Sequence, residues 1–169
     1  MSLPVLQGER VTLRPLEEAD LDELVAIIQS PSVREWWGES GDAERLRAGL
    51  PSDGCAFTIE IDGEIAGWLG FEEEDDPEYR HASVDISLRP DVQGRGLGPD
   101  AIRTVIRWLA DERGHHRITI DPSAANERAI KAYASLGFKP VGIMRRYERG
   151  PDGNFHDGLL MDLLIEELR

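Results

Sequence analysis

From His81 to Leu88 the chain alternates with a period of two. Ala82, Val84, Ile86 and Leu88 fall on one side and His81, Ser83, Asp85 and Ser87 on the other, the pattern of a half-buried strand. Further on, Ile102, Val105, Ile106 and Leu109 form an apolar stripe at helical spacing, with Pro99 suited to the first helical position, Asp100 to the positive end of the helix dipole, and Gly114 to the stop. Between strand and helix lies Gln93-Gly94-Arg95-Gly96-Leu97-Gly98. Glycines there let the backbone approach an anion closely, and the amides that open the helix point their hydrogens at it, so the joint has the form of a pyrophosphate cradle.

The same periodicities predict the remaining elements. Val11–Arg14 reads as a first strand, Glu17–Gln29 as a helix halted by Ser30-Pro31, Val33–Trp37 as a short helix or turn, and Asp42–Leu50 as another helix. Ala56–Ile61 and Glu64–Phe71 flank Asp62-Gly63, a strong hairpin signal. Arg117–Asp121 is a strand that returns by a right-handed crossover and is therefore parallel to His81–Leu88. Asn126–Leu136 is a helix ended by Gly137, and Val141–Glu148 with Phe155–Ile165 make a last hairpin around Pro151-Asp152-Gly153. With no repeat or linker, residues 1–169 read as one α/β domain with a mixed sheet.

Composition narrows the chemistry. Thirty-three acidic against nineteen basic residues leave a formal charge of −14, which repels phosphate backbones and favours a cationic partner over nucleic acid. Solubility alone is the plainer reading of that excess. The run Glu72-Glu73-Glu74-Asp75-Asp76-Pro77-Glu78 reads as a solvated loop or as a collar that attracts an amine. One cysteine, Cys55, excludes an internal disulfide; no secretory leader pattern and no apolar run of membrane-spanning length is present, which points to the cytoplasm and away from a membrane. Cys55 reads as a structural thiol. His81, His115, His116 and His156 have no metal-ligand spacing, so no metal is expected, and His115-His116 reads as a solvent-facing turn.

The glycine spacing fits neither a Rossmann loop nor a P-loop. Q-x-x-G-x-G followed downstream by Asn126-Glu127-Arg128-Ala129-Ile130-Lys131-Ala132-Tyr133, closing in Gly137-Phe138, instead resembles the two cofactor motifs of the GNAT N-acetyltransferase superfamily. The resemblance implies a mostly antiparallel mixed sheet with a central splayed parallel pair, flanked by helices, and acetyl-CoA as donor. It implies that Ile86, Ser87 and Leu88 hold the pantetheine arm, and that Gln93, Gly94, Arg95, Gly96, Leu97, Gly98 and Pro99 surround the pyrophosphate. Asn126 and Ala129 would contact the arm, and Tyr133, two helical turns beyond Asn126, would protonate the departing thiolate. Ordinary roles remain for Asn126 as an N-cap, Arg95 as a solvated arginine and Tyr133 as a packed ring.

Three short segments, Val33-Arg34-Glu35-Trp36-Trp37-Gly38, Val84-Asp85 and Asp121-Pro122-Ser123, are similar to the aminoglycoside 6′-N-acetyltransferase branch. That likeness implies Asp85 as a general base, Asp85 and Asp121 as acceptor ligands, Trp36 and Trp37 as pocket walls and, more loosely, Asp152 as a further acidic ligand. Core packing for the tryptophans, turn chemistry for Asp152-Gly153 and a loop start for Asp121 are the alternatives. The interval between Asp85 and the glycine loop is one residue shorter than in that branch, as loss of a bulge would make it, which leaves the facing of Asp85 open. The implied activity is acetylation of a primary amine on a polycationic small molecule by a monomer or homodimer. Acetylation of a protein N-terminus and a non-catalytic acyl-CoA-binding module are the competing readings.

Overall fold

The structure is a computed structural model and describes residues 3–37 and 55–169. The helix expected at Asp42–Leu50 lies outside the described residues, as does Gly38. Among the described residues eight strands form one sheet: β1 (Leu6–Gln7), β2 (Thr12–Pro15), β3 (Ala56–Ile61), β4 (Glu64–Glu74), β5 (His81–Leu88), β6 (Arg117–Ile120), β7 (Lys139–Arg149) and β8 (Phe155–Leu164). Their spatial order is β1-β2-β3-β4-β5-β6-β8-β7. Of these strands β5 and β6 alone run parallel, and they pair at Ala82↔Ile118 and Ser83↔Thr119. Beyond those two pairs the strands splay, and the gap opens beside Asp85 and Ile86.

Four described helices flank the sheet: α1 (Leu21–Gln29), α2 (Pro31–Arg34), α3 (Leu97–Asp111) and α4 (Glu127–Leu136). The stripe of α3 is buried as its spacing requires, with Ile102, Val105, Ile106 and Leu109 packed against Phe57, Leu69 and Val84. Trp108 meets Phe57 and Phe71 edge-on at 5.6 and 5.4 Å. On the opposite face Leu24 and Ile28 of α1 cover Trp68. No described helix is long and apolar enough to cross a membrane.

Local chemistry explains most boundaries. Asp62 and Gly63 both have positive φ, 52° and 79°, the geometry that a two-residue hairpin turn demands. Gly114 takes φ 74°, while its N–H donates to the Ala110 carbonyl at 3.2 Å and that of His115 to the Leu109 carbonyl at 3.0 Å, so the last carbonyls of α3 are satisfied. Gly137 ends α4 at φ 110°, and the Phe138 N–H donates back to the Tyr133 carbonyl at 3.2 Å. A Cβ at Gly137 would lie 2.3 Å from the Glu167 carbonyl oxygen.

Several expectations need correction. The helix after the glycine loop begins at Leu97, because Gly96 turns the chain at φ 76°; Pro99 is its third residue rather than its first. Asp100 does stand in the first turn, as expected at the positive end of the dipole, and it has a further role: buried, it accepts from the backbone N–H groups of Glu9, Arg10 and Val11 at 3.0, 2.8 and 3.2 Å and fastens the N-terminal loop to α3. The first helix starts at Leu21 after a 3-10 turn over Glu18–Asp20. Strand β4 runs on to Glu74, so the acidic run is only partly a loop. Glu73 stays in the strand because Arg113 donates to it at 2.6 and 3.2 Å and His115 Nε2 lies 2.6 Å from its second oxygen. His115 is accordingly buried rather than solvent-facing, whereas His116 is exposed. Asp75 joins this group, with ligand atoms of Glu73, Asp75 and His115 within 4.8 Å of one another, but Arg113 already neutralises Glu73.

Candidate active site

The glycine loop is tied at both ends. Gln93 Nε2 donates to the carbonyl of Leu88 at 2.8 Å, pinning the loop to the end of β5, and the Arg128 guanidinium of α4 donates to Gln93 Oε1. Arg10 donates to the Arg95 carbonyl. Gly94 and Gly96 take φ 74° and 76°, and a Cβ at Gly94 would meet only open space. Left-handed glycines followed by the free amides of a helix start suit an anionic diphosphate, and the cleft beside them has a volume of about 590 Å³, room for an extended acyl-pantetheine arm.

Most residues expected around the donor line that cleft. The strand end Ile86, Ser87 and Leu88 forms one wall, Gln93, Gly94, Gly96, Gly98 and Pro99 another, and Asn126, Ala129 and Tyr133 of α4 the third. Arg95 and Leu97 do not line it: Arg95 is exposed, and Leu97 is buried in the core. Asn126 Oδ1 accepts from the Ala129 N–H at 3.2 Å, so its carbonyl oxygen is a helix cap and its amide nitrogen is left for another partner.

A second hollow of about 440 Å³ lies on the other side of the splay, and it shares Trp36, Trp37, Ile86, Asn126, Ala129 and Tyr133 with the first. The two therefore meet at Tyr133. Asp85 and Asp121 line this second hollow, with Tyr147 and Glu148 from β7 facing them. The ladder between β4 and β5 is unbroken from Gly67↔Leu88 to Glu74↔His81, so β5 carries no bulge. Asp85 consequently shares a face with Ser87 and with Trp68, the cross-strand partner of Ser87. Trp37 packs on Trp68 with ring centroids 5.3 Å apart, and Trp36 is half-buried at the mouth.

Electrostatics distinguish the groups in the hollow. Asp85 is solvent-exposed in the open hollow, yet protein crowds around it; this desolvation, then the charge of Asp121, pushes its pKa up to about 7. Burial and then Asp121 also raise Glu148. Burial, reinforced by the charges of Asp85 and Asp121, raises the Tyr133 phenol further above its ordinary value, so it keeps its proton at neutral pH. Tyr147 donates to Asp121 Oδ2 at 2.6 Å, and that bond pushes the Tyr147 phenol up to about 12.

Asp152 stands apart. It lies in the β7–β8 turn, in a third hollow of about 280 Å³ that joins the second only through Trp36, Ser123 and Glu148. His156 Nε2 lies 2.9 Å from both its oxygens and holds it down at about 2. Tyr147 and Glu148 lie outside the sequence motifs, and Arg128 lies inside the second motif without an expected role.

Residues 10–139 match the family model described as Acetyltransferase (GNAT) domain. The chain is 30% identical over 175 residues to aminoglycoside N(6′)-acetyltransferase type 1 of Klebsiella pneumoniae, covering 90% of this chain and 83% of that one. It is 28% identical over 158 residues to spermidine N(1)-acetyltransferase of Escherichia coli (strain K12), covering 89% and 84%. The fold matches spermidine N-acetyltransferase from Vibrio cholerae in complex with CoA and spermine, at a TM-score of 0.80 and 21% identity over 95% of this chain and 98% of that one. The splayed β5–β6 pair, the glycine loop and the family match agree: the chain belongs to the GNAT acetyltransferase family and is an acetyl-CoA-dependent N-acetyltransferase.

Proposed function

We propose that this enzyme acetylates a primary amine of a polycationic small molecule, an aminoglycoside 6′-amine, by direct attack in a ternary complex in the cytoplasm. The observation that carries this reading is the gathering of Asp85, Asp121 and Glu148 in one hollow that meets the donor cleft at Tyr133. Three carboxylates in so small a space repel one another and gain most from a ligand with several positive charges. The names of the aminoglycoside and spermidine relatives support the same substrate class.

Acetyl-CoA supplies the acetyl thioester, and the chain's own residues do the rest. Gly94 to Gly98 receive the pyrophosphate with backbone amides, while Ile86 to Leu88 offer strand-edge groups freed by the splay to the pantetheine arm and the acetyl carbonyl. Asp85, with a pKa near neutrality, takes the ammonium proton directly or through water and so frees the nitrogen lone pair. Asp121 and Glu148 hold the remaining cationic groups, and Trp36 and Trp37 form the apolar side against which the sugar rings rest. Tyr133, still protonated, gives its proton to the departing thiolate. In a third place, Asp152 is a ligand for an outlying ammonium.

Steady-state kinetics with kanamycin and spermidine test the reading. Asp85→Asn should lower kcat and Asp121→Asn should raise KM for the amine, each leaving KM for acetyl-CoA unchanged. If neither variant alters the kinetics of any amine that the wild type acetylates, or if the wild type modifies only peptide N-termini, the small-molecule reading fails and acetylation of a protein N-terminus takes its place.

A further inference from the structure

Tyr147 reaches Asp121 by an unusual route. The two residues sit on elements that are not neighbours in the sheet, since β8 lies between β7 and β6. From Met144↔Gly158 to Glu148↔His156 the ladder places Arg145, Arg146 and Tyr147 opposite the single residue Asp157, which is a bulge. Arg146 takes φ 48°, a left-handed conformation disfavoured for arginine, and its N–H donates to Asp157 Oδ1 at 2.8 Å. The bulge is thus held by a side chain of the facing strand. It turns Tyr147 across β8, where the ring lies over Gly158: a Cβ there would be 2.9 Å from Tyr147 Cδ1. Only a residue without a side chain lets the ring pass.

The far end of that path is Asp121, which follows the last residue of β6 and is itself anchored by its neighbours. Leu159 donates to the Pro122 carbonyl at 2.9 Å, and Ala124 donates to the Asp157 carbonyl at 2.9 Å. Asp157 therefore supports both partners, the bulge through its carboxylate and the Asp121 segment through its carbonyl. One oxygen of Asp121 accepts from Tyr147; the other has no partner among the described residues and borders the hollow. A phenol that stays protonated keeps donating at any pH at which the enzyme works.

We infer that Tyr147 is a positioning and specificity-determining residue for the acceptor: through one oxygen of Asp121 it fixes the direction in which the other meets a substrate ammonium. The inference rests on the proposed role of Asp121 as an acceptor ligand. A free carboxylate at the end of a strand rotates about its χ2 bond and points its charge at water as readily as at a ligand. Clamped, it presents one oxygen along one line, and an ammonium pays less ordering entropy to meet it. The ring of Tyr147, 49% exposed, also forms the wall of the hollow opposite Asp85, so it limits how wide an amine can sit there.

The test is a double-mutant cycle of Tyr147→Phe and Asp121→Asn, with KM and kcat measured for kanamycin and spermidine on the full chain. Tyr147→Phe keeps the ring and removes only the donor. It should raise KM for the amine on the order of tenfold, the size typical of one hydrogen bond to a charged group. It should leave kcat within about threefold and KM for acetyl-CoA unchanged. In the Asp121→Asn background the same change should add little, because its target is gone. If Asp121→Asn raises KM while Tyr147→Phe does not, or if Tyr147→Phe has its full effect without Asp121, the positioning role is overturned and the proposed function stands. If Asp121→Asn changes nothing, the acceptor role of Asp121 and this inference fall together.

Discussion

Asp85→Asn should make the protein more stable and the enzyme less active, and the size of both effects follows from one property. The carboxyl of Asp85 is raised from 3.8 to about 7 in the folded protein. A raised acid favours the folded state at low pH and weighs against it as pH climbs, because the folded chain holds a proton that the unfolded chain has released. Its contribution is thus present below the unfolded value near 4 and is lost progressively as pH rises to about 7. At about 1.4 kcal/mol for each tenfold change in proton affinity, the full rise corresponds to about 4 kcal/mol. Asp85 keeps contact with water in the open cleft, and that screening reduces the cost at pH 8 to roughly 1–2 kcal/mol. Asparagine carries no charge and escapes it. For a chain of this length we expect Tm of Asp85→Asn to exceed wild type by roughly 3–6 °C at about pH 8 and to converge on it near pH 4.5. Wild-type kcat/KM for the amine should rise with pH through about 7 as Asp85 ionises, and the variant should lack that limb. Calorimetric melting at the two pH values, beside a pH–rate profile, reads both. A variant no more stable than wild type at pH 8, with the same pH dependence of Tm, would refute the reasoning.

Other variants probe separate parts of the molecule. Tyr133→Phe should keep acetyl-CoA binding and packing against Phe138 but lower kcat by on the order of 10² to 10⁴; wild-type turnover in a folded variant would remove Tyr133 from proton transfer. Gly96→Val forces a β-branched side chain into φ 76° at the start of α3, and should weaken acetyl-CoA affinity on the order of tenfold or more in a calorimetric titration. Asp100→Ala removes the acceptor for three backbone N–H groups and should cost about 2–3 kcal/mol in urea unfolding, whereas a loss near zero would mean that the N-terminal loop does not depend on it.

The parts of the fold that were legible in the sequence are those decided by local chemistry. Asp62-Gly63 announces a turn because both residues tolerate positive φ, and the stripe of α3 announces a buried helix because four apolar side chains repeat at its pitch. The donor side of the site was legible for the same reason: its contacts are largely backbone, and glycine spacing reports backbone shape. What escaped depends on distant partners. Three successive glutamates look like loop until Arg113 and His115, some forty residues on, hold Glu73 in β4. The start of α3 moved two residues earlier because the left-handed turn at Gly96 outranks the preference of Pro99 for a first helical position. Nothing in an Arg-Arg-Tyr sequence announces a bulge, so the delivery of Tyr147 and Glu148 to the acceptor hollow waited on the side chain of Asp157. The facing of Asp85 likewise waited on the ladder, which has no bulge where one could have turned it away.

The central claim is that the carboxylate-lined hollow beside Tyr133 delivers an amine of a polycationic small molecule to acetyl-CoA. The most direct measurement offers the wild-type enzyme acetyl-CoA together with kanamycin, spermidine and a ribosomal-protein N-terminal peptide, and identifies the acetylated product and its modified nitrogen by mass spectrometry. Acetylation of kanamycin at the 6′-amine, weakened by added salt because capture is electrostatic, is the predicted result. Acetylation of the peptide N-terminus with both polyamines untouched would contradict the account.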